Sequence, residues 1–299
     1  ATGAKSRNLP FVKSDGKNVW DYKAAMTPNT IPKSLVIVGS GAIGMEFASF
    51  YNDLGVKVTI IEALTNILPN EDEDISKIVQ NNFVKRGIDI KTGTSLKSVQ
   101  IKSDSVISEI SKDGKNELIN TEKLILAVGI VANTENIGLE KFNIKIDKGH
   151  IVTNKFLETD EEGIYAIGDV TGGPWLAHKA SHEGILCVEK IAGKSDLSPL
   201  DKSSIPGCTY CRPQVASIGL TEKNAKLNNI NIKVGKFPFI GNGKAIALGD
   251  SEGLIKTIFN NDTGELIGAH MVGPEVTELI QGFSIAKKLE TTEHELMHT

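Results

Sequence analysis

Three groups of residues have types and spacings suited to chemistry. Gly39-Ser40-Gly41-Ala42-Ile43-Gly44 spaces its glycines as a loop that cradles a diphosphate on bare backbone amides. Glu62 follows at the distance where a carboxylate would accept the hydroxyls of an adenine ribose. Cys208-Thr-Tyr-Cys211 has the spacing of a redox pair or of half a zinc site. His294-Glu295-x-x-His298 has the spacing with which a zinc peptidase sets two ligands and a general base on one helix.

Only the first group sits among elements that can position it. "LVIV" from Leu35 reads as a buried strand, and the glycines form the turn after it. Ile43, Phe47, Ala48, Tyr51 and Leu54 then recur with helical period up to Gly55. "VKVTIIE" is a second buried strand with Glu62 at its end. "DEDISKIVQNNFVKRG" is a helix with acids in its first turn, Ile75, Ile78, Val79 and Phe83 on one face and Gly87 as its stop. This βαβα order belongs to a parallel sheet. There the first glycine permits the turn, the second lets a diphosphate approach, and the third lets helix and strand pack closely. A carboxylate at Glu62 repels a 2′-phosphate, and "ALTNILPNEDED" holds no Arg or Lys to receive one, so NAD is expected rather than NADP. The alternative is a glycine turn that binds no nucleotide.

The other two groups lack their surroundings. A His-x-x-x-His helix supplies two zinc ligands, and a single residue follows His298, so a third would have to come from earlier in the chain. Pro206-Gly207 and Pro213 keep Cys208 and Cys211 out of a helix. In an extended segment, residues three apart point to opposite faces, about 10 Å apart at Cα and beyond disulfide reach. Cys187 sits alone in a helical segment. The expected metal content is none, and the cysteines are expected to be structural. His182 and His270 are expected to be solvated or locally hydrogen-bonded, and Trp20 and Trp175 to serve packing first.

Composition is that of a globular chain, with 40% apolar and 23% charged residues. A net charge of -4 without a basic run argues against nucleic acid. The most apolar stretch, "SLVIVGSGAIGMEFASFY", carries three glycines and Glu46, which argues against a membrane span. Three cysteines in 299 residues point to a reducing compartment, and the cytoplasm is expected. The start at Ala1 implies a chain that was processed, trimmed or cut from something longer. Around "ISEISKDGKNELIN" the period shortens to two, with a hairpin at Asp113-Gly114, before "KLILAVG" resumes the parallel pattern. After Leu200 the text is strand-rich, with a hairpin expected at Asp262 to Gly264, and an apolar helix follows from Val276 to Leu289.

Several stretches together carry a resemblance: "ATGA", "GSGAIGMEFASFY", "NTENIGLE", "GIYAIGDVTGGPWLAHKASHEG", "PQVASIGLTE" and "TGELIGAHMVGPEVTELIQGFSIAK". In this order they resemble the pyridine nucleotide-disulfide oxidoreductases along the whole chain. The resemblance implies an α/β fold: a Rossmann-type NAD-binding domain at 32–150, inserted in the remainder of an FAD domain at 1–31 and 151–198. An α+β interface domain at 199–299 would make a homodimer. The implied enzyme passes electrons from the dihydrolipoyl group of a 2-oxo acid dehydrogenase or related complex, through a cysteine pair and FAD, to NAD.

Residue by residue, the resemblance places Thr2, Gly3 and Ala4 at the tail of the first half of the FAD domain. Leu96 and Gly129 would line the NAD site, and Asp169 would bind the flavin's ribityl chain. Trp175, Leu176, Ala177 and His178 would run along the flavin, opening a helix. A helix N-terminus carries about half a positive charge, which suits a reduced, anionic flavin. Glu46 would face the flavin's reactive edge and pair with a lysine. Where many relatives have an arginine and a proline, this chain reads "GIVANTEN", which puts those contacts in doubt.

The family's other G-x-G-x-x-G, its Cys-x-x-x-x-Cys and its closing His-Pro-Thr do not occur in the chain. The expectation is a fragment inactive by itself, binding NAD weakly and holding no tight flavin. The rival readings are another FAD-dependent NAD disulfide reductase, a non-catalytic NAD-binding or dimerisation module and, more remotely, a zinc peptidase built on His294, Glu295 and His298.

Overall fold

Leu35, Val36, Ile37 and Val38 are buried in succession, as a central strand of a parallel sheet requires. The computed structural model describes residues 1–299 and places Ser34–Val38 in the middle of a five-stranded parallel sheet. Its neighbours are Lys57–Ile61, then Asp89–Lys91, on one side, and Lys123–Leu126, then Val19–Trp20, on the other. Side chains alternate across the sheet. Leu35 and Ile37 join a core with the helices Ala42–Asp53 and Glu73–Lys85, while Val36 and Val38 join a second core with Val106 and Ile110.

The helix after the glycine turn is rotated from its expected face. Gly44, Met45, Ala48 and Tyr51 are buried, whereas Ile43 and Leu54 are exposed. The cause is steric: a Cβ at Gly44 would lie 2.0 Å from the Gly39 carbonyl oxygen, so the helix turns its bare position inward and its inner face follows at i+4 and i+7. The next helix keeps the expected face of Ile75, Val79 and Phe83, with Ile78 partly buried.

The period-two segment forms a three-stranded antiparallel sheet of Ser95–Ile101, Val106–Lys112 and Lys115–Thr121. Asp113 (φ 50°) and Gly114 (φ 76°) both adopt the left-handed conformation that a two-residue hairpin needs. The second five-stranded sheet is antiparallel, ordered Gly207–Thr209, Gln214–Gly219, Leu266–Gly273, Leu254–Asn260, Ile232–Pro238. Its hairpin turns at Gly264 (φ 78°), and helix Val276–Lys288 covers its core.

These sheets make up one compact unit, 8–128 with 206–299; the other comprises 1–7 with 129–205. Compactness breaks at Val128, earlier than the boundary at 150 expected from the sequence, because Ile130–Ala132 pairs with Ala4–Ser6 instead of extending the parallel sheet. The smaller unit also holds the hairpin of Ile146–Asp147 with His150–Ile151 and the helix Ala177–Ile191. No helix is long and apolar enough to cross a membrane.

Candidate functional site

At the C-terminal edge of the parallel sheet, Gly39 adopts φ 103°, and a Cβ there would meet the Ala127 carbonyl oxygen at 2.3 Å. Only glycine fits at Gly39 and Gly44 for reasons internal to the protein. At Gly41 the reason differs, since a Cβ would find nothing within 4 Å. Open space at the one loop glycine that the protein does not itself need bare is what a ligand's approach requires. Beside it runs a cleft of about 380 Å³ lined by Val38 to Gly41, Ile61 to Ala63, Thr94 to Leu96, Ala127 and Val128, with Leu9 and Phe11 at its side.

Glu62 is on the cleft wall, 8% exposed, and its carboxylate accepts three hydrogen bonds from neighbouring backbone and hydroxyl donors. Ser40 donates its backbone N–H (2.9 Å) and its hydroxyl (2.6 Å) to Oε2, and Leu64 N–H donates to Oε1 at 2.8 Å. Leu96 lines the same cleft, while Gly129 (φ 97°) belongs to the other compact unit. Ala42 and Ile43 open the helix behind Gly41, its N-cap, which brings no side-chain acceptor to the leading amides. Phe11, 48% exposed, was not legible as a lining residue: "LPFVK" has no period or motif, and a bridge between Leu9 and Val12 puts it there.

Glu46, on the same helix, does not pair with a lysine. Its carboxylate accepts the Tyr210 N–H at 2.8 Å, and burial raises its pKa. The strand Gly207–Thr209 brings the Tyr210 amide to this helix, which no local signal in either segment announces.

In the smaller unit, "ATGA" and the Asn133-Thr134 pair come together. Thr2 donates its hydroxyl to the Asn133 carbonyl (2.7 Å), Asn133 returns a side-chain bond to Thr2 O (2.9 Å), and its N–H reaches Gly3 O (2.9 Å); Ala4 pairs with Ala132. Asp169 lies in a 3-10 turn, Gly168–Thr171, with Gly168 at φ 77°. Trp175, 44% exposed, stacks on His150 at 5.9 Å, and Leu176 is the N-cap of Ala177–Ile191 without a side-chain acceptor for its leading amides.

What sequence reading missed here is Lys179 with Glu183. Both are buried, 3.1 Å apart; Lys179 Nζ also donates to the carbonyls of Gly168 (3.2 Å) and Gly172 (2.8 Å), and Glu183 accepts the Gly168 N–H at 2.7 Å. The pair clamps the Asp169 turn to the helix that carries His178. Its signal was the i,i+4 Lys/Glu spacing within "HKASHEG", which is more often a solvated pair.

The other two groups lie in the following surroundings. Glu295 accepts the Thr292 N–H at 2.9 Å and its hydroxyl, closing a capping box on the short helix Glu293–Met297. The His294 and His298 rings lie 4.5 Å apart between centroids, and no three metal-capable side chains cluster anywhere. All three cysteines are free, and burial pushes the Cys211 thiol up to about 12. His270 is deeply buried, not solvated, with Nε2 against Leu220 O at 2.9 Å.

A glycine turn leaving a central parallel strand, with an acid closing the next strand, is the arrangement of the α/β folds built for dinucleotides. The chain belongs to the pyridine nucleotide-disulphide oxidoreductases, whose family it matches over residues 1–184, and residues 205–299 match that family's dimerisation domain. It is 53% identical to a dihydrolipoyl dehydrogenase of Rhizobium etli and 44% identical to one of Bacillus subtilis, in each case along 100% of its own length. It spans 62% and 63% of those relatives. Among solved structures it resembles LpdA from Mycobacterium tuberculosis with a TM-score of 0.92 at 28% identity, covering 100% of this chain and 64% of that one. The HOCl-induced flavoprotein disulfide reductase RclA from Escherichia coli gives 0.88 at 26% identity, covering 98% and 67%.

Proposed function

We propose that the chain binds NAD in the Gly39–Glu62 cleft and carries the nucleotide and interface portions of a dihydrolipoyl dehydrogenase. The observation that carries this is the contrast among the loop glycines: two are filled against the protein's own backbone, and Gly41 alone faces open space beside a buried acid. Amides from Gly41, Ala42 and Ile43 would hold the diphosphate, Glu62 the adenine ribose, and Leu96 and Phe11 would flank the adenine. NAD rather than NADP is supported by Glu62 and by the lack of any Lys or Arg at 63–72.

In this reading 32–150 serve NAD, 1–31 and 151–198 the remainder of an FAD site, and 199–299 a homodimer interface. FAD, when bound, supplies the two-electron relay between a dithiol and a nicotinamide. Thr2 to Ala4, Asp169 and the segment Trp175 to His178 would hold it. The uncapped start of helix Ala177–Ile191 and the turn pinned by Lys179 suit that task, one as a positive end and the other as a fixed carboxylate. The substrate is the dihydrolipoyl group of a 2-oxo acid dehydrogenase complex, in the cytoplasm.

Fluorescence titration of the 299-residue protein tests the core of the reading. Saturable NADH binding is expected, and the absence of any response to NADH overturns it. Turnover of dihydrolipoamide with NAD by the product of the full reading frame tests the activity. Turnover of another disulfide substrate alone would assign the protein to a neighbouring reductase.

A further inference from the structure

Glu62 is a buried carboxylate without a cation: none of the protein's ion pairs includes it, so hydrogen bonds alone support its charge. Two of its three bonds come from one residue. Ser40 is fully buried and gives both its N–H and its hydroxyl to Oε2, while its carbonyl is held by Leu68 N–H at 2.9 Å. A carboxylate offers about four lone-pair directions. Oε2 has both of its directions occupied by Ser40, and Oε1 has one occupied by Leu64. One acceptor direction remains, on Oε1.

Resting on the NAD reading above, we propose that the Ser40 hydroxyl is a positioning residue that sets coenzyme specificity. It fixes Glu62 in one orientation, with a single acceptor position at Oε1 for one ribose hydroxyl and with its charge immobile. A ribose hydroxyl donates to that position; a 2′-phosphate brings only acceptors and negative charge to it. Because Oε2 is bonded twice to a residue of the glycine loop, the acid cannot swing aside to admit the phosphate. The hydroxyl is thereby a discriminating group without touching the coenzyme.

The test is paired titration of NADH and NADPH on the 299-residue protein and on Ser40→Ala, with Ser40→Gly standing in if the alanine variant does not fold. The wild type is expected to prefer NADH, and removal of the hydroxyl to narrow that preference about ten-fold, the worth of one charge-assisted hydrogen bond. A purely structural serine would weaken both coenzymes alike and leave their ratio unchanged. An unchanged ratio in a folded variant that still binds NADH therefore overturns the inference while leaving the NAD reading intact. Wild-type protein that binds neither coenzyme overturns the reading, and the inference with it.

Discussion

Glu62 and Asp72 are buried carboxylates with opposite surroundings. Glu62, 8% exposed, has only amides and one hydroxyl, and they leave part of it free. Asp72, 2% exposed, faces Lys256, itself 2% exposed, at 2.8 Å. The same ammonium also meets Asp74 at 2.7 Å and Glu222 at 2.6 Å, while Asp72 caps the helix Glu73–Lys85 and accepts the Glu222 N–H. The charges of that second group are paired inside the protein, and the pairs join the parallel-sheet half to the antiparallel sheet. An acid that meets no cation inside the protein marks a site; an acid paired with a buried ammonium marks a joint.

The joint breaks hardest. Lys256→Met leaves Asp72 buried without its cation and is expected to cost about 3–5 kcal/mol in urea unfolding. A loss below about 1 kcal/mol would show the cluster to be dispensable. Acid acts on the same group. Lys226 first and Lys256 second hold the Glu222 pKa at about 2, below its ordinary 4.5, so folding favours the charged form. The resulting stability is fully present above pH 4.5 and is lost as pH falls through about 2. The urea midpoint should fall across that window in the wild type and fall less in Lys256→Met.

Smaller changes sharpen the site. Gly44→Ala drives a methyl into the Gly39 carbonyl and should destabilise the fold by about 1–3 kcal/mol. Gly41→Ala meets open space, so stability should stay within about 0.5 kcal/mol while NADH affinity drops roughly ten-fold. Equal stability losses in the two variants would refute the distinction drawn between these glycines. The smallest effect belongs to His294→Ala: an exposed ring outside any metal cluster should change stability by less than about 0.5 kcal/mol and leave zinc content at background.

What the sequence disclosed follows the range of the interactions. The glycine turn, its flanking strands and helix and both hairpins rest on neighbours within a few residues, and all were legible. The rotation of the helix carrying Ile43 was not, because it is set by Gly44 against Gly39 and not by hydrophobic period. The Glu46 partner was missed because the Tyr210 amide arrives from a distant strand. The pairing of the segment after Val128 with Ala4–Ser6 was not legible, because neither segment encodes that choice alone. Glu62 lies at the end of the second strand where the sequence placed it, but the two hydrogen bonds it accepts from Ser40 appear only when two strand ends meet.

Asp72 and Lys256 are 184 residues apart in the chain. At a translation rate of about 5–20 residues per second, a ribosome needs roughly ten to forty seconds to deliver the ammonium after the carboxylate has emerged. Late in that interval the nascent parallel-sheet half has all five of its strands but still lacks the counter-charge that seals its flank. Its final closure is therefore set by the pace of synthesis, and slow codons between the two positions would lengthen the time it spends exposed to chaperones and to aggregation.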